Sequence, residues 1–184
     1  MSYSTLHLES INGSVLIPSA NVMGKAEAAS VMFLHRGHTE PVTLKLSGHT
    51  NGQCVIHLLN VDDQKRNAWK DIQEAVEEGA CGIAMMLVDQ YTEYRVSERS
   101  VKGEGIDYWL SKKTDNINSL NTFNLYDRAA RLEVSGIEQG TQAQINQRIK
   151  QKKQQTAPSA NTNLPAFVVI VEFSTPCSAL EIVK

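Results

Sequence analysis

The segment KGEGIDYWLS, residues 102–111, determines the fold prediction for this chain. Two glycines precede Asp107, and a run of large side chains follows it. On a strand, alternation directs Tyr108 and Leu110 to one face and Trp109 to the other, so at least one ring should lie in a core. The segment therefore predicts a β-strand that begins at a carboxylate, where glycine lets another backbone or a phosphate come near.

The segments around this strand predict the order helix, strand, strand, strand, helix, strand. Apolar residues recur every three or four positions from Trp69 to Leu87, which indicates a helix of about five turns that begins near Asn67. Its glycines, Gly79 and Gly82, are typical of close packing against another element. The remaining predicted elements are strands at EYRVSERSV (93–101), GIDYWL (105–110), ARLEVSGI (130–137) and AFVVIVEFS (166–174), a helix at TQAQINQRIKQKKQQ (141–155) with Thr141 as its N-cap, and a loop or long hairpin tip at SKKTDNINSLNTFNLYD (111–127).

The region before this core, residues 1–61, is predicted to be β-structure. The pair Asn51-Gly52 suits a tight hairpin turn, because both residue types tolerate positive φ. The fold class is therefore α+β, with an N-terminal β region (1–61) docked on, or continuous with, an α/β core (62–184). The predicted N-terminal strands are TLHLESI (5–11), SVLIP (14–18), ASVMFLH (29–35), PVTLKLS (41–47) and CVIHLLNV (54–61).

Composition limits the class of protein and its partners. With 184 residues, of which 41% are hydrophobic and 21% charged, the chain can bury one sizeable core. The net charge of -2 gives no global reason to bind nucleic acid or an anionic membrane. The three cysteines are too scattered for a disulfide framework, and no apolar run reaches the length of a bilayer span. We expect a cytoplasmic protein with no membrane partner.

The order αβββαβ, over about residues 67–174, resembles the core of the PD-(D/E)XK, or restriction-endonuclease-like, nuclease superfamily. In that family an aspartate near the start of the second strand and a Glu-x-Lys on the third strand hold Mg²⁺. A glutamate on the first helix often assists. The resemblance thus implies a restriction-endonuclease-like core with a metal-dependent phosphodiesterase site.

The motif positions carry over to particular acids of this chain. GEGID supplies Asp107, LEVSG supplies Glu133, and the first helix offers Glu74, Glu77 or Glu78 in the assisting position. A hard divalent cation prefers carboxylate oxygens that converge from rigid elements. The resemblance therefore implies that Asp107 and Glu133, with help from Glu74 or Glu78, would bind Mg²⁺ or Mn²⁺.

The chain departs from the family at the motif lysine. Ser135 stands two residues after Glu133, and a hydroxyl cannot stabilise transition-state charge as an ammonium can. In an active site Ser135 would instead orient a water. Some family members recruit a lysine from a neighbouring element, and the candidates here are Lys112, Lys113, Lys150 and Lys152.

The two acids also have a simpler interpretation. Asp107 would then be an acid next to a turn, and Glu133 would pair with Arg131 or Arg128 on an exposed face, as surface charges often do.

A local basic rim would suit backbone phosphates, although a solvated helix end would have the same composition. The rim is predicted from Lys102, Lys112, Lys113, Arg148 and Lys150, together with Arg95, Arg99, Lys152 and Lys153. The partners implied are nucleic acid, and a protein partner or a second copy of the chain.

Because Ser135 replaces the lysine, the sequence favours a non-catalytic or weakly active nuclease-like protein. It would act as a binding or assembly subunit in a nucleic-acid-processing or defence system. The alternative is a Mg²⁺-dependent nuclease in which Asp107, Glu133 and Ser135 are catalytic. A lysine ammonium beside the two acids would favour the alternative.

Overall fold

The computed structural model describes residues 4–113 and 126–183, so most of the predicted loop 111–127 lies outside the described residues. The described chain is an α+β fold with one mixed sheet of eight strands. The strands are β1 (Ser4–His7), β2 (Val42–Gly48), β3 (Gly52–His57), β4 (Tyr94–Arg99), β5 (Tyr108–Lys112), β6 (Ala130–Ile137), β7 (Ala166–Glu172) and β8 (Cys177–Val183). The helices are α1 (Ser19–His35), α2 (Asp63–Ala68), α3 (Ile72–Tyr91) and α4 (Gln142–Gln155), with 3₁₀ helices at Leu8–Ser14 and Ala157–Thr162.

The sheet joins both regions of the chain in the order β1-β3-β2-β8-β7-β6-β5-β4. Strands β4, β5 and β6 form an antiparallel meander, and β7 lies parallel to β6. Strand β8 pairs antiparallel with β7 and parallel with β2. The strands near the N-terminus are therefore continuous with the sheet of the core.

Helices cover both faces of this sheet, and the burial of β7 is consistent with this arrangement. All seven residues of β7 are buried, so this strand is apolar on both faces except at its last residue. Phe167 belongs to the main core, which also contains residues of α1 and α3. Val168 and Ile170 form a second, smaller core with Ile145 of α4.

The predicted order αβββαβ is confirmed by α3, β4, β5, β6, α4 and β7. The predicted cap of α4 is also confirmed, since Thr141 and Gln144 form a capping box. The helix start near Asn67 was wrong by five residues. Asp71 accepts hydrogen bonds from the amides of Gln73 and Glu74, and this cap fixes the start of α3 at Ile72. Strand β8 was not predicted.

Two of the predicted N-terminal strands were wrong, and a third, at 5–11, is a strand only as far as His7 and continues as a 3₁₀ helix. Residues 29–35 form the second half of α1, because the longer window from Ser19 contains four alanines and a buried stripe of helical spacing. A short run of branched residues had suggested a strand. The segment SVLIP forms only an isolated bridge between Val15 and Val96.

The predicted hairpin at Asn51-Gly52 is confirmed as the antiparallel pair β2 and β3. The positive φ angles fall on Gly48, at +94°, and Gly52, at +136°, rather than on Asn51. Three residues, 49–51, separate the two strands, so the glycines lie at the two strand ends of a longer turn.

No helix among the described residues is long and apolar enough to cross a membrane.

The contact between α1 and α3 depends on two glycines. A Cβ atom on Gly79 would lie 2.9 Å from the Cα and N atoms of Ala29, and one on Gly82 would lie 2.9 Å from the carbonyl oxygen of Lys25. The predicted close packing of these glycines is confirmed, and the element that they contact is α1. The two backbones approach so closely because neither glycine carries a side chain.

We expect Gly79→Ala to lower the free energy of unfolding by about 1–2 kcal/mol, measured by urea denaturation. Because the added Cβ would meet backbone atoms, overpacking should cost about 2–3 kcal/mol, the upper part of its usual range, and the gain in helix propensity recovers about 1 kcal/mol. Gly24→Ala in α1 is the matched control, because its Cβ would meet only Trp69 Cζ2, at 3.5 Å. The control should be neutral or slightly stabilising. Equal stability of Gly79→Ala and the wild type would contradict this account of the packing.

Candidate active site

A recess forms where β6 extends past its neighbour. Strand β5 begins at Tyr108, opposite Leu132, whereas β6 continues to Ile137. Helix α3 packs on one face of β6 and α4 on the other. The second half of β6 therefore presents an edge between two helices.

Asp107 and Glu133 lie side by side at this edge. Asp107 lies just before β5, whose first residue, Tyr108, pairs with Leu132, and a side-chain hydrogen bond joins the carboxyl groups of Asp107 and Glu133. The Asp107 amide donates to the carbonyl of Leu132, at 2.8 Å, and Val134 N–H donates to Asp107 Oδ2, at 2.9 Å. Both the backbone and the carboxylate of Asp107 are thus fixed against β6.

The glycine before Asp107 has a structural reason. Gly105 has a φ of +69°, and a Cβ there would lie 2.0 Å from the carbonyl oxygen of Gln155 at the end of α4. Only glycine allows the segment before β5 to pack this closely on α4. Gly105 therefore brings Asp107 and α4 to the same site.

Glu133 is a buried carboxylate, with an exposed fraction of 1%. Burial raises the pKa of Glu133 to about 7, and the neighbouring charge of Asp107 and a side-chain hydrogen bond with it act in the same direction. The hydrogen bond and charge of Lys152 oppose this rise in pKa. Glu133 and Asp107 therefore form a coupled acid pair with an adjacent ammonium.

The surface-pair interpretation of Glu133 was wrong, because other groups bind both arginines. Arg131 is buried, and its guanidinium donates to the carbonyl oxygens of Leu164 and Thr156. Arg128 donates two hydrogen bonds to Glu98, at 2.6 and 2.9 Å. The ion-pair partner of Glu133 is Lys152.

Helix α4 supplies the cations of the site. Lys152 Nζ donates to Glu133 Oε1, at 2.5 Å, and Arg148 Nη1 donates to Ser135 Oγ, at 3.0 Å. Ser135 lies two residues after Glu133 on β6, and both of these α4 cations line the same cavity as Ser135. The sequence carries a signal for this arrangement, since Ile145, Ile149 and Lys152 fall at i, i+4 and i+7 on one helix face.

Helix α3 contributes Glu77 and Glu78 rather than Glu74. Glu78 lines the recess and forms an ion pair with Lys25 of α1. Glu74 is exposed in the first turn of α3 and lines neither cavity at Asp107. Cys81, one turn after Glu78, also faces the recess, and burial raises the pKa of its thiol to about 12. The thiol of Cys81 is therefore protonated at neutral pH, so Cys81 lines the site but is not a nucleophile.

Two cavities meet at Asp107. The helix-side cavity, of about 220 Å³, lies between α3 and α4, and its polar lining includes Glu77, Glu78, Asp107, Ser135, Arg148 and Lys152. The loop-side cavity, of about 520 Å³, lies under the segment before β5 and is lined in part by Lys102, Gly103, Asp107, Glu133 and Gln154. Arg99, at the end of β4, lines both cavities. A chain of phosphates would have room on both sides of the acids.

The structure places only some residues of the predicted basic rim near Asp107. Lys102 and Arg148 line the two cavities at Asp107. Lys150 is exposed on α4 and lines neither of them. Lys112 and Lys113 lie at the opposite end of β5, where they form ion pairs with Glu93 and Asp89, respectively.

Sequence reasoning did not assign Lys25 to the site. Only residues 29–35 of α1 had been predicted, as a strand, so the helical stripe that carries Lys25 towards α3 was not recognised. Arg99, in contrast, was named in the predicted basic rim beside Asp107, and it lines both cavities there. Only the three-dimensional arrangement places Lys25 next to Glu78.

Comparisons with family models, with curated proteins and with solved structures returned no match.

We expect Glu133 to make stability fall as pH rises from about 4.5 to about 7 in metal-free buffer. Its pKa is about 7 in the fold against an ordinary 4.5, so in this window the native state binds more protons than the unfolded state. The full effect corresponds to roughly 3 kcal/mol, since a tenfold change in proton affinity is about 1.4 kcal/mol. Denaturant titrations at several pH values in EDTA should show this slope, and Glu133→Gln should remove it.

The control for this measurement is Glu9→Gln, at an exposed position, which should keep the slope of the wild type. The readout is the slope and not the absolute stability, because Glu133→Gln also alters the partner of Lys152. A slope that survives in Glu133→Gln would mean that another group titrates.

Proposed function

We propose that this protein is a Mg²⁺-dependent nuclease that resembles the PD-(D/E)XK superfamily. The observation that carries the proposal is the contact of Lys152 with Glu133, because it supplies the ammonium that the motif lacks at Ser135. The ammonium of Lys152 comes from α4 instead of β6, yet it lies beside Glu133, the acid of the motif. The helices on both faces of the αβββαβ part of the sheet also support the proposal.

Asp107 and Glu133 are suitable ligands for a hard divalent cation such as Mg²⁺. Within residues 4–113 and 126–183, no three histidine, cysteine, aspartate or glutamate side chains converge to hold a metal ion. The fit rests on two carboxylates, Asp107 and Glu133, and Mg²⁺ in proteins is usually held by one or two carboxylates with waters and substrate phosphates. Burial is the main cause of the raised pKa of Glu133, and the charge of Asp107 adds to it, so a bound cation would relieve the repulsion between the two acids.

The side chains around the acids have separable roles. When bound, Mg²⁺ would neutralise phosphate charge and make a water more acidic. Lys152 Nζ lies where negative charge on the phosphate can be stabilised. Ser135 Oγ accepts a hydrogen bond from Arg148, which leaves the Ser135 proton available to orient a water or a phosphate oxygen.

A non-catalytic subunit is the second candidate, and the pairing of Glu78 supports it. The ion pair of Glu78 with Lys25 neutralises the assisting acid of the first helix. In that case the basic side chains of the two cavities would serve for binding nucleic acid, with a protein partner or a second copy of the chain supplying catalysis.

We expect the purified full chain to cleave plasmid, single-stranded DNA or RNA with Mg²⁺ or Mn²⁺ and not in EDTA. Asp107→Asn and Lys152→Ala should each lower the cleavage rate by about 100-fold or more, because each removes charge at the reacting phosphate. Lys45→Ala is the control for loss of a lysine, since Lys45 is exposed on β2, on the far side of β7 and β8. Circular dichroism and thermal unfolding of each variant would show that the fold is kept.

Chemical rescue gives a sharper test of Lys152. A small alkylammonium ion should restore part of the activity of Lys152→Ala, because it can occupy the space that the side chain leaves, and should not restore Asp107→Asn. A wild type that is inert with every substrate and metal would favour the subunit. Cleavage that persists in Asp107→Asn would place the chemistry elsewhere.

A further inference from the structure

A third cavity adjoins the candidate active site on the side of α1. It has a volume of about 280 Å³ and is lined by Ile17, Pro18, Asn21, Lys25, Arg99 and Tyr108. We name it the α1 cavity. Its volume lies just below the range of sites for drug-sized ligands, about 300–1,000 Å³, which suits one planar ring system.

The α1 cavity is continuous with the acids through two shared cations. Arg99 lines the α1 cavity as well as the helix-side and loop-side cavities. Lys25 lines the α1 cavity and forms the ion pair with Glu78 in the recess. A group bound in the α1 cavity would therefore be directly next to a phosphate bound at Asp107.

The lining of the α1 cavity matches the chemistry of a nucleobase. The guanidinium of Arg99 lies over the ring of Tyr108, 5.0 Å from its centroid, and donates to the Tyr108 hydroxyl, at 2.8 Å. This contact orients a planar cation on an exposed residue, and bases stack on such planes. Ile17 and Pro18 add apolar surface, and Asn21 is an exposed amide with the donors and acceptors that base edges use.

We propose that the α1 cavity binds one unpaired nucleobase of the strand whose phosphate lies at Asp107 and Glu133. The proposal rests on the proposed nuclease function and names its substrate class as single-stranded nucleic acid, or an unpaired end of a duplex. A paired base is covered by its partner and by its stacked neighbours, so its ring cannot enter a cavity of this size. The local cations Lys25, Arg99 and Lys102 hold the adjoining phosphates despite the net charge of -2.

The test compares oligonucleotides with and without bases. The full chain with Asp107→Asn is kept in EDTA to prevent cleavage. It is titrated with two labelled oligonucleotides, a thymidine 12-mer and a 12-mer of abasic spacers. Fluorescence anisotropy gives the affinity for each. The thymidine strand should bind at least about fivefold more tightly, since base stacking is worth about 1–3 kcal/mol per base. Adding Arg99→Lys, which keeps the charge but removes the guanidinium plane, should bring the two affinities to within about twofold.

Two further variants keep the test decisive. Asn21→Ala should give an intermediate ratio, and Asn67→Ala, at an exposed position of α2, should leave the ratio unchanged. A ratio that is the same with and without Arg99→Lys overturns the α1 cavity as the base site, whatever the cleavage assays give. Absence of metal-dependent cleavage overturns the nuclease function alone, because the oligonucleotide ratio is measured without catalysis.

Discussion

Burial of Glu133 beside Asp107 is the constraint on which the site depends. Two adjacent carboxyl groups with almost no water around one of them are unfavourable unless a proton, an ammonium or a cation offsets their charge. Lys152 supplies one such charge from α4, and the capping box at Thr141 and Gln144 sets where that helix begins. The position of α4 therefore determines whether the two acids have a compensating positive charge.

The proposed site differs from the superfamily pattern in the element that supplies its ammonium. In that pattern the lysine shares a strand with the glutamate, whereas here the strand carries Ser135 and the helix carries Lys152. Helix α4 packs on the face of β6 from which Glu133 projects, so its lysine reaches the carboxylate. In the proposed nuclease, a charge would keep its position in space while its position in the sequence changes.

The sequence predicts the β2–β3 hairpin, strands β4 to β7 and helix α4 well, and it does not predict α1 or β8. Strands β4 to β7 and helix α4 carry local signals, such as the cap at Thr141 and the alternation after Asp107. In α1, the local preference of the short apolar run 29–35 for a strand is overridden by the packing of the helix on α3. Lys25 joins the site only through tertiary contacts, so no local pattern marks it. Lys152 was one of four lysines named in advance, and the spacing from Ile145 and Ile149 would have separated it from the others.

The place of β8 in the sheet has a consequence for how the chain assembles. Among the strands of the described residues, β8 lies between β2 and β7 and joins the group β1-β3-β2 to the group β7-β6-β5-β4. A polypeptide emerging from the ribosome must hold both groups with an open edge until residues 177–183 appear. The sheet is completed only when β2 pairs with β8, as Lys45 does with Cys177. These two residues are more than 100 positions apart in the sequence, and contacts at such a separation form slowly. Until that moment each half is exposed to pairing with a second nascent chain.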